Sequence, residues 1–315
     1  MNKLSTLLLL VLVAVAMAQD EPTFADAKVK FGVKFVNAAD EAYRESIFNT
    51  NLRSIRVNNA NPNNTHKEGV NQFTFLSMVE FKNTFLGTRP PQDVQLPALT
   101  PSLAWPPASR DWSTVPNVVT VVKNQGSCGS CWAFSAVAAI ESLRFQAYRT
   151  IGANFSEQQL VSCSNAYGNQ GCNGGWMHFA YNYVKAVGIV NESAYPYTSD
   201  RTGVSGTCKA VRNTFKISGY KNVSKNCDSV AAALQVRPLS VAVDATNWSP
   251  YSSGILNSCG MSVNHAVLLV GVTSTTWKIK NSWGTGWGQS GYMLLDATNA
   301  RNICNICFYA NYPLK

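Results

Sequence analysis

One cysteine at the mouth of an apolar helix constrains this chain more than any other feature. The stretch is Gln125-Gly-Ser-Cys128-Gly-Ser-Cys131-Trp132, followed by Ala133 to Arg149 with apolar residues at Ala133, Val137, Ile140 and Leu143. That spacing predicts a mostly buried helix beginning at Cys131. A helix N-terminus carries partial positive charge and unsatisfied N–H groups, which favour a thiolate over a thiol. A thiolate nucleophile needs a proton carrier, and the chain offers three histidines, His66, His178 and His265.

The wider sequence narrows the context. Lys3, the apolar run Leu7 to Val15 and Ala16-Met17-Ala18 read as a secretory signal over residues 1–18. That run is too short for a membrane span, and no later segment is longer and as apolar, so no membrane association is expected. The nine cysteines all follow residue 127, and an odd number leaves at least one thiol free or paired outside the chain. Cys131 is the candidate. Net charge is +9, and 16 Lys and Arg against 8 Asp and Glu lie after residue 100. Those lysines are scattered, without a basic run or aromatic-interleaved stripe, so nucleic acid is not an expected partner. Paired C-x₂-C units at finger spacing are missing, as are phosphate-cradling and dinucleotide-binding glycine patterns, so no metal or cofactor is expected. Five Asn-x-Ser/Thr sequons begin at Asn63, Asn154, Asn191, Asn222 and Asn247.

Residues 19–104 are cysteine-free and helical in pattern. Asp40, Arg44, Phe48, Asn51, Ile55 and Asn59 share one stripe of a long helix. From Arg89 to Pro107 six prolines favour extended, cleavable backbone, and an activation cut is expected within a few residues of Trp105. Ser156 caps a helix through Leu160 with Glu157 in its first turn, and another helix runs Met177 to Ala186. Beyond Asn213 come short β-rich runs, Leu239 to Val243, Ala266 to Val272, Trp277 to Lys280 and Tyr292 to Leu295. Helices first and strands later predict an α+β fold of two lobes.

The ordered set Val122-Lys-Asn-Gln125, Cys128-Gly-Ser-Cys131-Trp132, Ser156-Glu-Gln-Gln-Leu-Val-Ser-Cys163, Gly171-Cys-Asn-Gly-Gly175, Tyr195-Pro-Tyr197, Asn264-His-Ala-Val267 and Asn281-Ser-Trp-Gly284 resembles the papain-like cysteine proteases, cathepsin L-like branch. The resemblance implies a helical lobe facing a β-barrel-like lobe across a cleft, in a mature peptidase of residues 105–315, with the lobes mainly 112–212 and 213–310. It implies that the 40–59 stripe belongs to an inhibitory propeptide, with Asp40 where glutamate is usual. Gly69-x-Asn71-x-Phe73 is similar to that propeptide's second motif, but Phe75 stands where aspartate is usual.

By the same resemblance Cys131 and His265 would act as a thiolate–imidazolium pair, Asn281 would orient the imidazole, and Gln125 would serve the oxyanion with the Cys131 N–H. Trp283 and Trp287 would cover the His–Asn hydrogen bond. Gly129, Gly174, Gly175 and Asn264 would meet the substrate backbone, while Trp176, Met177, Ala242, Val263 and Tyr309 would line the pocket for the residue two before the cut. Apolar walls predict Leu, Phe or Val there. The family's disulfides imply Cys128–Cys172, Cys163–Cys208 and Cys259–Cys304, leaving Cys227 and Cys307 to form a fourth bridge. His178 is expected on an exposed helix face beside the cleft, and His66 lies in the part to be removed. No long insertion separates Cys131 from Cys172, which favours an endopeptidase. Expected partners are protein and peptide substrates, the chain's own propeptide and cystatin-type inhibitors, around a monomer of the secretory pathway, lysosomal, vacuolar or extracellular. Two rivals stay open: a thiol–disulfide oxidoreductase using Cys128-Gly-Ser-Cys131, and a non-catalytic protein on the same fold.

Overall fold

The computed structural model describes residues 21–91, 105–212 and 214–315. The predicted signal segment and most of the proline-rich stretch lie outside them. The N-terminal segment folds as α1 (Phe24–Lys30), α2 (Ala38–Ala60), a short strand β1 (His66–Glu68) and α3 (Met78–Phe85). The expected stripe lies on α2. Its apolar members Phe48 and Ile55 are buried with Leu52, and its polar members tie down the chain that returns across the helix. Arg44 pairs with Glu80 at 2.7 Å and Asp40 at 3.4 Å. Asn51 Nδ2 donates to the carbonyls of Thr74 and Leu76, both at 2.9 Å. Asn59 donates to Glu68 O and accepts from Glu68 N. Phe75, the residue at the usual aspartate position, is buried among Phe24, Phe35 and Phe48. Aromatic packing therefore holds this corner together, and no carboxylate is needed there.

After the short strand β2 (Arg110–Asp111), α4 (Cys131–Tyr148), α5 (Glu157–Cys163) and α6 (Met177–Ala186) build the helical lobe. Ser156 caps α5 by accepting from Gln159 N, and the helix runs three residues beyond Leu160. The second lobe carries β3 (Gly219–Asn222), α7 (Cys227–Val236), β4 (Leu239–Val243), β5 (Tyr251–Leu256), β6 (His265–Val272), β7 (Thr276–Lys280), β8 (Tyr292–Asp296) and β9 (Tyr309–Leu314). Helix α7 is a departure from the expected run of strands. Asn226 caps it, and its Val230, Ala231 and Leu234 reach the β lobe's core.

The sheet order is β1-β5-β8-β7-β6-β4-β9-β3, with β2 on β6. Every pairing is antiparallel except β5–β8. Strand β6 is buried along its whole length. Its Ala266, Leu268 and Val270 join the helical core, while Val267, Leu269 and Val272 join the β core. A strand covered on both faces is apolar throughout, and this one forms the seam between lobes. The N-terminal segment is bound to the second lobe by β1, which pairs with β5 as an added strand.

Candidate active site

Cys131 is the first residue of α4, and Ser130, its N-cap, makes no side-chain cap bond, so the helix's first N–H groups stay uncovered by a cap. The chain pairs Cys128–Cys172, Cys163–Cys208, Cys227–Cys307 and Cys259–Cys304, the expected pattern, and Cys131 alone is free and buried. With Cys128 bonded to Cys172, Cys128 and Cys131 are not a redox couple, which removes the support for the oxidoreductase rival.

His265 opens β6 across the seam, paired with Val243 of β4. Its Nε2 lies 2.8 Å from Asn281 Oδ1, which also accepts from Ser282 N at 2.8 Å. Its Nδ1 is buried with no partner at hydrogen-bonding geometry, and His265 acts on the Cys131 thiol through its charge and hydrogen bonding. Burial alone would push the Cys131 thiol up. Burial is the largest single influence, yet the positive charge of His265 together with hydrogen bonding from His265, Thr88 and the Gly87 backbone exceeds it, and the thiol comes down to about 7. Trp283 lies against the imidazole, centroids 4.7 Å apart, and Trp248 meets it edge-on at 6.1 Å. Trp287 packs on Trp283 at 4.9 Å. These rings keep water from the His265–Asn281 bond, which strengthens it.

Gln125 is fully buried. Its Oε1 accepts from Ser282 Oγ at 2.8 Å, and its Nε2 donates to Cys128 O at 2.9 Å and Phe85 O at 3.0 Å. Phe85 belongs to the N-terminal segment, which crosses the cleft directly over the thiol. Gly175 N donates to Gly87 O at 2.9 Å, Thr88 N to Asn264 O at 3.0 Å, and Arg89 N to Gly175 O at 3.4 Å. Thr88 and Gly175 pair in parallel. What stands against Cys131 Sγ is the Thr88 hydroxyl, at 3.1 Å. Glycine is required at this crossing. A β-carbon on Gly87 would sit 1.9 Å from Gly129 O, and one on Gly174 (φ +115°) 2.4 Å from Gly87 O. Further back, Phe73 and Phe81 pack edge-on against Trp283, at 5.2 and 5.3 Å, and Gln72 Nε2 donates to Trp283 O. Asn71 Nδ2 donates to Ser249 O at 2.7 Å.

Of the expected pocket residues, Trp176, Met177 and Ala242 are wholly buried in the helical core, while Val263 and Tyr309 remain partly exposed. Tyr309 sits edge-on to Trp176 at 5.2 Å, and its Cα pairs with Ala242. His178 departs from expectation. It is half-buried, stacked on Tyr220 of β3 at 5.5 Å and edge-on to Phe179, and burial pulls it down to about 4. Sequence reasoning also missed a buried charge cluster beneath Asn281. Lys123 bridges Glu141 at 2.9 Å and Glu157 at 2.7 Å, and Lys280 donates to Thr120, which donates to Glu141. These four charged residues line one small cavity together with Asn281 and Ser282. Single charged residues read as solvated, and nothing local announces that these four converge. Among the described residues no group of three or more His, Cys, Asp or Glu could hold a metal, and no helix is long and apolar enough to cross a membrane.

A lone thiol, an oriented imidazole and a covering segment that fills the cleft define a cysteine protease held closed by its own N-terminal part. The chain belongs to the papain family of cysteine proteases, whose family model matches residues 106–314, and the cathepsin propeptide inhibitor domain matches residues 24–81. It is 40% identical over 296 residues to Cathepsin L 2 of Paramecium tetraurelia, covering 92% of this chain and 91% of that one. It is 36% identical to Digestive cysteine proteinase 2 of Homarus americanus, covering 97% and 98%. The solved digestive procathepsin L 3 from Tenebrio molitor larval midgut superimposes with a TM-score of 0.80 at 35% identity, covering 92% and 97%. The fold is papain-like with a helical propeptide, and the protein is a cysteine protease made as a zymogen.

Proposed function

We propose that Cys131 is the nucleophile of an endopeptidase and His265 its acid–base partner. The single observation that carries this reading is the free thiol, lowered to about 7 by a histidine whose far nitrogen is fixed 2.8 Å from Asn281. The Cys131 thiolate adds to the peptide carbonyl carbon, and the oxyanion takes hydrogen bonds from Gln125 Nε2 and the Cys131 N–H. His265 gives its proton to the leaving amine, and the C–N bond breaks to leave a thioester. His265 then takes a proton from water, the hydroxide adds to the thioester, and the thiolate departs as the acid product forms. Asn281 holds the ring in register throughout. Gly175 and Asn264 would receive the substrate backbone that Gly87, Thr88 and Arg89 now imitate.

Tyr309 against Trp176 supports a shallow apolar pocket for the residue two before the cut, with no acidic group to welcome arginine. The precursor would pass through the secretory pathway to a lysosome-like compartment or the exterior, be cut near Trp105, and act as a monomer open to cystatin-type inhibitors. Incubating the precursor in mild acid, with N-terminal sequencing and a dipeptidyl-coumarin assay, tests this. A new N-terminus near residue 105 should appear together with activity, and Cys131→Ser should give neither unaided. Activity retained in Cys131→Ser would sink the reading, and a strong preference for arginine two before the cut would sink the pocket.

A further inference from the structure

Cys227 and Cys307 lie outside the family's common disulfide pattern, yet they close a bridge of 80 residues beside the pocket wall. Cys227 is the first residue of α7, and Cys307 stands two residues before Tyr309. Both are buried. The turn Ile303–Asn305 is already fastened by Cys259–Cys304, so a second bridge three residues on is not needed to hold the turn itself. What it adds is a fixed exit from that turn into β9. There Cys307 N donates to Asn302 Oδ1 at 2.8 Å and Phe308 N to Asn305 O at 3.1 Å.

The chain before Cys227 grips the same spot. Val223 N donates to Ala310 O at 2.9 Å. Lys225, exposed, holds its ammonium 5.6 Å from the Phe308 ring and 5.5 Å from the Tyr309 ring. Residues 223–227 and 307–310 are thus zipped by a disulfide, a main-chain hydrogen bond and a cation over two rings. The Tyr309 ring then meets Trp176 edge-on at 5.2 Å.

We propose that the Cys227–Cys307 disulfide and Lys225 form a clamp that sets the depth of the substrate pocket by holding Tyr309 against Trp176. Cys227, Cys307 and Lys225 are positioning residues for specificity, since none of them is assigned contact with the reacting atoms. The clamp rests on the reading of Tyr309 as a pocket wall. Held in place, Tyr309 closes the pocket to long side chains, so Val two before the cut should be favoured over Phe. The Lys225 ammonium beside the same ring adds a charge that discourages Lys and Arg there.

The test uses the full precursor, activated and then titrated with a thiol-alkylating epoxide, so that rates refer to working sites. The readout is the ratio of kcat/KM for coumarin substrates carrying Phe, Val, Leu or Arg at that position. Tyr309→Ala comes first, and it should raise the Phe-to-Val ratio about tenfold. If it does not, the pocket reading fails, and the clamp with it. Replacing both cysteines together, Cys227→Ser with Cys307→Ser, should raise that ratio about fivefold, and Lys225→Met about threefold with a gain for Arg over Leu. A bridge that serves stability alone would lower melting temperature and site titre but leave the ratios unchanged. Ratios within about twofold of wild type, while Tyr309→Ala moves them, overturn the clamp. Should the paired-serine protein yield no titratable sites, Lys225→Met decides by the same criterion, because an exposed side chain can be exchanged without loss of folding.

Discussion

In the closed precursor the Gln125 amide is fully engaged, and the mechanism proposed above gives the same amide a second use. Ser282 fixes its oxygen, and one N–H already meets a carbonyl, that of Phe85, in the precursor. On that mechanism, loss of the propeptide would free that N–H for the oxyanion. Gln125→Ala should therefore lower kcat about 10²–10³-fold with little change in KM. The same change should weaken inhibition by the propeptide about five- to tenfold, because one hydrogen bond is lost. Steady-state kinetics on titrated enzyme, with added propeptide, measure both, and a fall in kcat without weaker inhibition would separate the two roles. That Gln125, Cys131, His265 and Asn281 would lie near one another was legible from the ordered family motifs that carry them. The structure places His265 Nε2 2.8 Å from Asn281 Oδ1 and hydrogen-bonds Gln125 to Cys128 and Ser282. The place of His178 was not legible. Its exposure is decided by Tyr220, on a strand far along the chain, which stacks on it. Neutral down to about pH 4, His178 is also a poor acid trigger for release of the propeptide.

At the scale of elements, runs such as Leu239 to Val243 could be read because a strand buried on both faces must be apolar throughout. Helix α7 could not, since Cys-Asp-Ser-Val-Ala-Ala-Ala-Leu sits among strands and carries only ten residues of weak periodicity. Strand β1 is three residues long, and only its partner β5 makes it a strand. The propeptide is anchored in two ways. Phe73, Phe81 and β1 hold it to the β lobe, while Gly87 to Arg89 thread the cleft. Both β1 and the cleft crossing bring backbone close to backbone, but only the crossing does so directly beside Cys131. Gly87→Ala would bring a β-carbon to 1.9 Å from Gly129 O, so the chain must lift away from Cys131. The unprocessed Gly87→Ala precursor should show peptidase activity at neutral pH about tenfold above the background of the unaltered precursor, while its remaining anchors keep it folded. Assay before any cleavage, with electrophoresis to show an intact chain, measures this. Equal background would mean that the aromatic anchor suffices.

The whole molecule joins two cores across β4 and β6, and the buried charges Lys123, Glu141, Glu157 and Lys280 lie at that seam beneath Asn281. Lys123 is held strongly charged despite burial, because Glu157 and Glu141 share it. Lys123 is the cation in direct contact with both carboxylates, Lys280 reaches Glu141 only through Thr120, and Glu157 is raised above its ordinary range. Its burial, against the pull of Lys123 and with the push of Glu141, raises it from 4.5 to about 7. Burial likewise brings Lys280 down to about 8. For Glu157 the folded state favours the protonated form. Its contribution to stability is fully present below about pH 4.5 and is lost as pH rises through about 7. His178 acts in the opposite sense, since its folded value lies below the ordinary 6.5, so it gains stability as pH rises from about 4 to 6.5. The two slopes oppose each other, and the wild-type profile alone cannot isolate either. Glu157→Gln can, because glutamine imitates the protonated acid and leaves His178 untouched. In a Cys131→Ser background, which prevents self-digestion, urea unfolding should give similar stabilities for the two proteins near pH 4.5. The glutamine protein should then gain steadily, reaching an advantage on the order of a few kcal/mol by about pH 8. A difference that stays flat across that range, or that favours glutamate at high pH, would mean that Lys123 neutralises both carboxylates after all. The seam would then favour no pH, and a preference of the mature enzyme for acid conditions would have to come from the catalytic pair alone.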